Sequence, residues 1–529
     1  MAARVTAFLV FAIVATTLVA GLIVGAQRDT PDGPVDLIVF NGKVFPATDD
    51  TTFAEAVAVR GNQILMVGSN RDIKRLRRRQ TTVIDAHGGT VLPGFSDGHV
   101  HLMEAGLSAV DADLSGIDTV EALESRLAEY ASLHADLAWI RARGWRPDRV
   151  DAATVGRSVL DRAVPDRPAY VLSDDGQSAW VNTKALDLAG ITVRSKAPAG
   201  GLIGRDPRTG QPNGLLVGSS RSLVEDLLPT RTRDEQLTAI RAAVNDASRA
   251  GVTSVVSMGD TPAELELYDV LRQAGELPVR IYSALAAPAE LDAAAVALFE
   301  DLWKRFPDDP ILKTGAVAVD VTAADVVDDL SKTVTAFDAK GWQVFADAGG
   351  VEAGVMAALS AFEQATTVND VPSRGRRHRI DGSPADNPET EARFARLGVT
   401  AGMSSEDTDS ADRPPNAFPF ILISDWPEAA LDPRIGLQAN LTVADDGQAP
   451  GADASLHLAR AIRAYTSQPA FASFDDNRRG TLAPGMLADL VVLSGDIFSL
   501  RPEKLMDARV TTTIVDGKVV YSSEPGSDD

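Results

Sequence analysis

Two strand-like stretches near the start of the chain, DLIVFNGKVF and AVAVRGNQILMVG, share their texture with two near its end, ADLVVLSGD and VTTTIVDGKVVYSS. Alternating Val and Ile mark half-buried strands, and Asn41-Gly42, Gly61-Asn62 and Asp516-Gly517 are dipeptides that turn hairpins. The two ends are therefore expected to share one sheet. Between them, helical and strand-like segments alternate. Asp234 to Ala250 places Leu237, Ile240 and Val244 on one face, Gly251 ends the helix, and VTSVVSM follows as a strand. This rhythm predicts an α/β barrel.

A chain of 529 residues exceeds a single hydrophobic core, so more than one structural unit is expected. Its 74 acidic against 51 basic side chains leave a net charge of −23, the wrong sign for a nucleic-acid surface. The basic run RDIKRLRRR at Arg71 to Arg79 fits a solvated helix face, with Ile73 and Leu76 spaced for one buried side. Val5 to Ala26 carries no charge and is long enough to span a bilayer, which takes about 20 apolar residues. Arg4 before it and Asp29, Asp32 and Asp36 after it predict a single membrane anchor with the body outside the cytoplasm, periplasmic or extracellular. Ala26 is also small enough to permit cleavage as a signal segment. With no cysteine in the chain there is no disulfide framework and no thiolate metal ligand.

The first chemical constellation is VLPGFSDGHVHL, where an apolar strand runs into Asp97, His99 and His101. Alternate residues of a strand point the same way, so the two imidazoles can coordinate one cation at the strand end where barrel active sites form. The chain has only six histidines, and two in this pattern are read as ligands rather than as hydrogen-bonded core imidazoles. Asp425 follows the apolar run FPFILI, the same end-of-strand context, with a turn or helix cap as the plainer alternative. Lys313 is read as ending an apolar strand, and Asp347 precedes Gly349 and Gly350 in a loop.

LPGFSDGHVHL resembles the first-strand signature of the amidohydrolase superfamily, and the chain is similar to the branch that includes N-substituted formamide deformylases, amidohydrolase family 3. The similarity continues through WIRARGW, AWVNTKAL, GLIGRDPRTGQPNGLL, ILK at Ile311 to Lys313, ISDWP at Ile423 to Pro427, AYTSQPA and GTLAPGMLADLVVL. It covers nearly everything after the apolar N-terminus. The resemblance implies an α/β fold: a distorted (β/α)8 TIM-type barrel with a small β-sandwich built from both chain ends, here preceded by one transmembrane helix. The expected boundaries are 1–26 for the anchor or signal segment, 27–90 and 479–521 for the two sandwich halves, and 91–478 for the barrel. An insertion is expected around 105–205 and a disordered tail at 522–529.

In such sites one metal is held by the first-strand histidines and a last-strand aspartate, matched here by His99, His101 and Asp425. A second uses histidines on the fifth and sixth strands, bridged by a carboxylated lysine on the fourth, which Lys313 matches. Asp347 stands where the fifth-strand histidine is found. In RHRIDGS, Asp381 replaces a glutamate and Gly382 replaces the sixth-strand histidine, while His378 matches a histidine that is not a ligand. Gln177 stands for a histidine that contacts substrate. The resemblance thus implies one divalent ion, expected to be Zn²⁺, on His99, His101 and Asp425, assisted by Asp347 or Lys313. Asp425 would act as general base and Gln177 as a hydrogen-bond donor near a small-molecule substrate, an amide or cyclic amide cleaved at a non-peptide C–N bond. The alternative is a catalytically inactive barrel serving as a binding or scaffold protein. A homo-oligomer is left open.

Overall fold

The computed structural model of the protein describes residues 34–288, 290–306, 308–322, 327–382, 387–404, 418–442 and 452–523. The expected anchor at Val5–Ala26 lies outside the described residues, as does the tail expected at 522–529 except for Ser522, which ends a strand, and Ser523. Among the described residues, no helix is long and apolar enough to cross a membrane.

Eight parallel strands form one sheet: Phe95–Val100, Val252–Asp260, Arg280–Ala286, Leu312–Asp320, Gln343–Asp347, Arg379–Asp381, Thr400–Ser404 and Phe420–Ile423. Val100 bridges to Trp426, just past the eighth strand, so the sheet curls into a nearly closed barrel. The strands are buried almost throughout, as parallel strands covered by helices must be. The helix Arg233–Arg249 shows how the local sequence builds the cover. Thr232 and Glu235 form a reciprocal capping box at its start, and Leu237, Ile240 and Val244 pack into the main core. Helix Pro262–Ala274 repeats the device with Thr261 and Glu264 and stops at Gly275, whose φ of 72° suits the left-handed cap.

Both chain ends meet below the barrel. Leu37–Phe40, Ala56–Arg60, Gln63–Gly68 and Thr82–Asp85 make a four-stranded sheet, and Lys43–Val44, Thr90–Pro93, Leu490–Leu493, Val510–Val515 and Lys518–Ser522 make a five-stranded one. In the second, Leu490–Leu493 runs antiparallel to Thr90–Pro93, which joins the start of the chain to its end. Leu37, Val57, Ile64, Val91, Leu490 and Ile514 form the core between the two sheets. Asp516 and Gly517 take φ of 54° and 74°, the turn their identity calls for. Around the short helix Asn70–Lys74 the basic run exposes Arg71, Arg75 and Arg77 and buries Ile73, a solvated face.

Between the first and second barrel strands, a six-stranded sheet runs from Ala112–Asp113 to Pro212–Gly218, beyond the expected limit of 205. It has its own core, with Trp145, Leu160 and Trp180 fully buried.

Candidate metal centre

The barrel closes at the site itself. Asp425 N donates to His99 O at 3.0 Å and His101 N to Trp426 O at 2.7 Å, so the ends of the first and eighth strands are stitched side by side. Asp97, buried beneath them, accepts from His99 N at 3.0 Å and Ser424 N at 3.2 Å, and burial pushes its carboxyl up to about 6. Asp425 itself has φ of 60°, a left-handed conformation that Asp tolerates better than most residues. Its carboxylate is thereby turned toward the imidazoles.

His99 Nε2, His101 Nε2 and Asp425 Oδ1 lie 3.3 Å from one another on every side of a triangle. On the side away from it, each imidazole uses its Nδ1: His99 toward Asp381 Oδ2 at 2.8 Å, His101 toward Met258 O at 3.2 Å. A carboxylate and a carbonyl can only accept, so both protons sit on Nδ1 and both Nε2 lone pairs face inward. Asp425 Oδ1 is buried and receives no hydrogen bond from the described residues. Three such groups converging demand positive charge, an ion or a proton, and the hydrogen bond and charge of the Asp425 carboxylate raise the His101 imidazole above its ordinary pKa.

A divalent ion meets that demand. Donors about 3.3–3.4 Å apart are what tetrahedral zinc with bonds of about 2.0–2.1 Å would require, and the triangle has that spacing. Among the described residues this is the one group of three or more His, Asp or Glu side chains arranged to hold an ion. The residues fit the metal.

The other expected ligands do not join them. Lys313 lies near the start, not the end, of the strand Leu312–Asp320, roughly 23 Å from the mouth at about 3.3 Å per residue. There its ammonium donates to Ser473 O at 2.6 Å and pairs with Asp475 at 2.7 Å, and burial lowers it to about 8. Reading ILK as a strand end reversed the direction: the apolar residues that follow, not those that precede, form the strand. Asp347 ends the fifth strand in register with Asp381, but one oxygen accepts from Gly349 N at 3.0 Å and its carboxyl, raised by burial, stays outside the triad. Gln177 sits in an exposed turn of the inserted sheet, where its backbone bonds Asp175 and Gly218, and no described hydrogen bond ties it to the triad. His378 is structural: its Nδ1 accepts from Val344 N, its Nε2 faces Asp338, and its ring stacks on Phe362. Asp381 carries the contact that sequence reasoning missed. Its signal was an acid two residues after an arginine on a buried strand, a pair that needs a partner inside the barrel.

A sequence profile of the amidohydrolase family matches residues 82–521. The chain belongs to the amidohydrolase family. Along 546 aligned residues it is 29% identical to protein LONG AFTER FAR-RED 3 of Arabidopsis thaliana, covering 92% of this chain and 91% of that protein. With the N-substituted formamide deformylase of Arthrobacter pascens it shares 27% identity over 250 residues, 46% of each protein. An uncharacterized metal-dependent hydrolase from Pyrococcus furiosus has the same fold, with a TM-score of 0.67 at 19% identity over 87% of this chain and 99% of that one. The likeness to that structure is one of fold, and in this architecture sites form where the barrel strands end.

Proposed function

We propose that this amidohydrolase cleaves a C–N bond in a small amide or cyclic amide, using a single divalent ion, zinc by the chemistry of its donors, at His99, His101 and Asp425. The observation that carries the reading is the triangle of three inward-facing acceptors 3.3 Å apart. Such an ion, when bound, supplies Lewis acidity and lowers the pKa of water toward about 7. The imidazoles orient the site with their Nδ1 protons held by Asp381 and Met258. Asp425, about half exposed, presents its second oxygen to the mouth, where it takes a proton from the attacking water and returns it to the leaving nitrogen.

A single ion is supported by what has become of the other half of the mouth. Gly382 has no side chain to offer and its φ of 138° strains any other residue, so a histidine cannot simply be put back there. That erosion is also what favours the inactive binding-protein reading, and one experiment separates the two. Metal content and hydrolysis across a panel of formamides, amides and cyclic amides are measured for wild type and Asp425→Asn. One ion per chain with turnover lost in the variant supports the enzyme; a metal-free, inert wild type overturns it. We also propose that Val5–Ala26 holds the body outside the cytoplasm, on the charge asymmetry around that apolar segment. A C-terminal reporter active only in the cytoplasm would contradict this.

A further inference from the structure

Asp381 uses its two oxygens unequally. Oδ2 accepts from His99 Nδ1 at 2.8 Å and from Arg379 Nη2 at 2.7 Å, whereas Oδ1, equally buried, has no partner among the described residues. A carboxylate oxygen left bare in a barrel interior is unfavourable, and a turn of the carboxylate to share out its donors would relieve it if salt bridging were its sole task. The observed orientation instead places one oxygen on the histidine ring. Space for it is made by Gly402 on the neighbouring seventh strand, where an added Cβ would lie 2.0 Å from Asp381 Oδ1. Arg379 completes the grip: its guanidinium stacks 4.0 Å over the Phe345 ring and Nη1 donates to Gly98 O at 2.6 Å, the carbonyl just before His99. The pair thus holds both the backbone and the ring of one ligand, from the strand that precedes Gly382.

We infer that Asp381 is the positioning residue of the metal centre, keeping His99 as the Nδ1–H tautomer with its Nε2 lone pair aimed into the triad, and that Gly402 is the seat this carboxylate requires. The inference rests on the metal reading of the triad for its consequence but not for its geometry. Carboxylate partners of this kind fix the ring and strengthen the ligand, and their loss weakens metal binding by about 10–100-fold.

The test uses the full chain with ¹⁵N-labelled histidine, first without metal. Wild type is expected to show His99, assigned with His99→Gln, protonated on Nδ1 and bare on Nε2. Two variants follow, Asp381→Ala, which removes the acceptor, and Gly402→Ala, which keeps every charge and touches no ligand but displaces the carboxylate. Both are expected to lose the fixed tautomer and to bind Zn²⁺ about 10–100-fold more weakly in chelator competition. A simple ion pair within the fold would lower the melting temperature in both without moving the tautomer. Wild-type His99 protonated on Nε2, or folded variants with the tautomer and Zn²⁺ affinity unchanged, would overturn the assignment. Should wild type show the Nδ1–H ring yet bind no Zn²⁺, the proposed reaction fails while the positioning role stands.

Discussion

Asp425 at the mouth of the barrel and Asp489 at its floor are both carboxylates held beside cationic or imidazole side chains, yet their surroundings differ in kind. Asp489 accepts from Arg280 at 2.7 and 2.8 Å with both groups buried, and neighbouring Asp475 gathers Lys313, Arg478 and Arg479 within 3.0 Å. Asp425 Oδ1 faces two imidazole nitrogens and receives no hydrogen bond from the described residues, on a residue in the left-handed region. At the floor charges are satisfied and hold the barrel to the sheets built by the chain ends. At the mouth one carboxylate oxygen is left without a donor among the described residues. Stability and function are thus placed at opposite ends of the same strands, as barrel architecture favours.

The largest effect should come from Asp425→Asn, which keeps the residue compatible with its φ of 60° but removes charge from the triad. Hydrolysis is expected to fall at least about 10²-fold. The unfolding midpoint should move by less than about 3 °C. A large thermal shift would erase the contrast between mouth and floor. Asp489→Ala should do the reverse, costing about 3–5 kcal/mol in denaturant unfolding by leaving Arg280 buried without its main partner, with turnover per folded molecule kept. Lys313→Met should cost less than that, because Asp475 retains two arginines, and should leave metal content at the wild-type level. Loss of the ion in this variant would return Lys313 to the site.

A smaller effect concerns acid. Burial raises the Asp338 carboxyl, but bonds from His378, Arg376 and Asn369 outweigh it and bring the group to about 2, below its ordinary 3.8. A group depressed in the folded state stabilises above its unfolded pKa, so this contribution is complete above about pH 4 and is lost as pH falls toward 2. Buried His378, held below 6.5, adds a loss of the same sign at higher pH. Acid titration of Asp338→Asn should show a flatter decline than wild type over that window; an equal slope would place acid sensitivity elsewhere. The least effect is expected from Gln177→Ala, an exposed turn position, with stability within about 0.5 kcal/mol. A kcat/KM reduced more than tenfold would bring the inserted sheet into the mouth's chemistry.

What was legible in the sequence is local or periodic. Leu237, Ile240 and Val244 on one helix face, the Asp516-Gly517 turn, the shared strand texture of the two ends, and the His99–His101 alternation all follow from repeats of 3.6 or 2 residues and from turn chemistry, which depend on neighbours along the chain. Asp425 was legible as a strand-end acid, and its place beside His99 follows once the first and eighth strands close. The direction of Lys313 was not legible, because a lysine at either end of an apolar run looks the same until helices and floor acids show which way the strand enters the barrel. Nor was Asp381, whose partner lies 282 positions away in sequence and whose orientation depends on the missing Cβ of Gly402. The barrel, the shared sheet of the two ends and the pairing of the two first-strand imidazoles could be read along the chain. Which carboxylates face the triad, which hold the histidines and which secure the floor depends on distances between strands that no pattern along one strand contains.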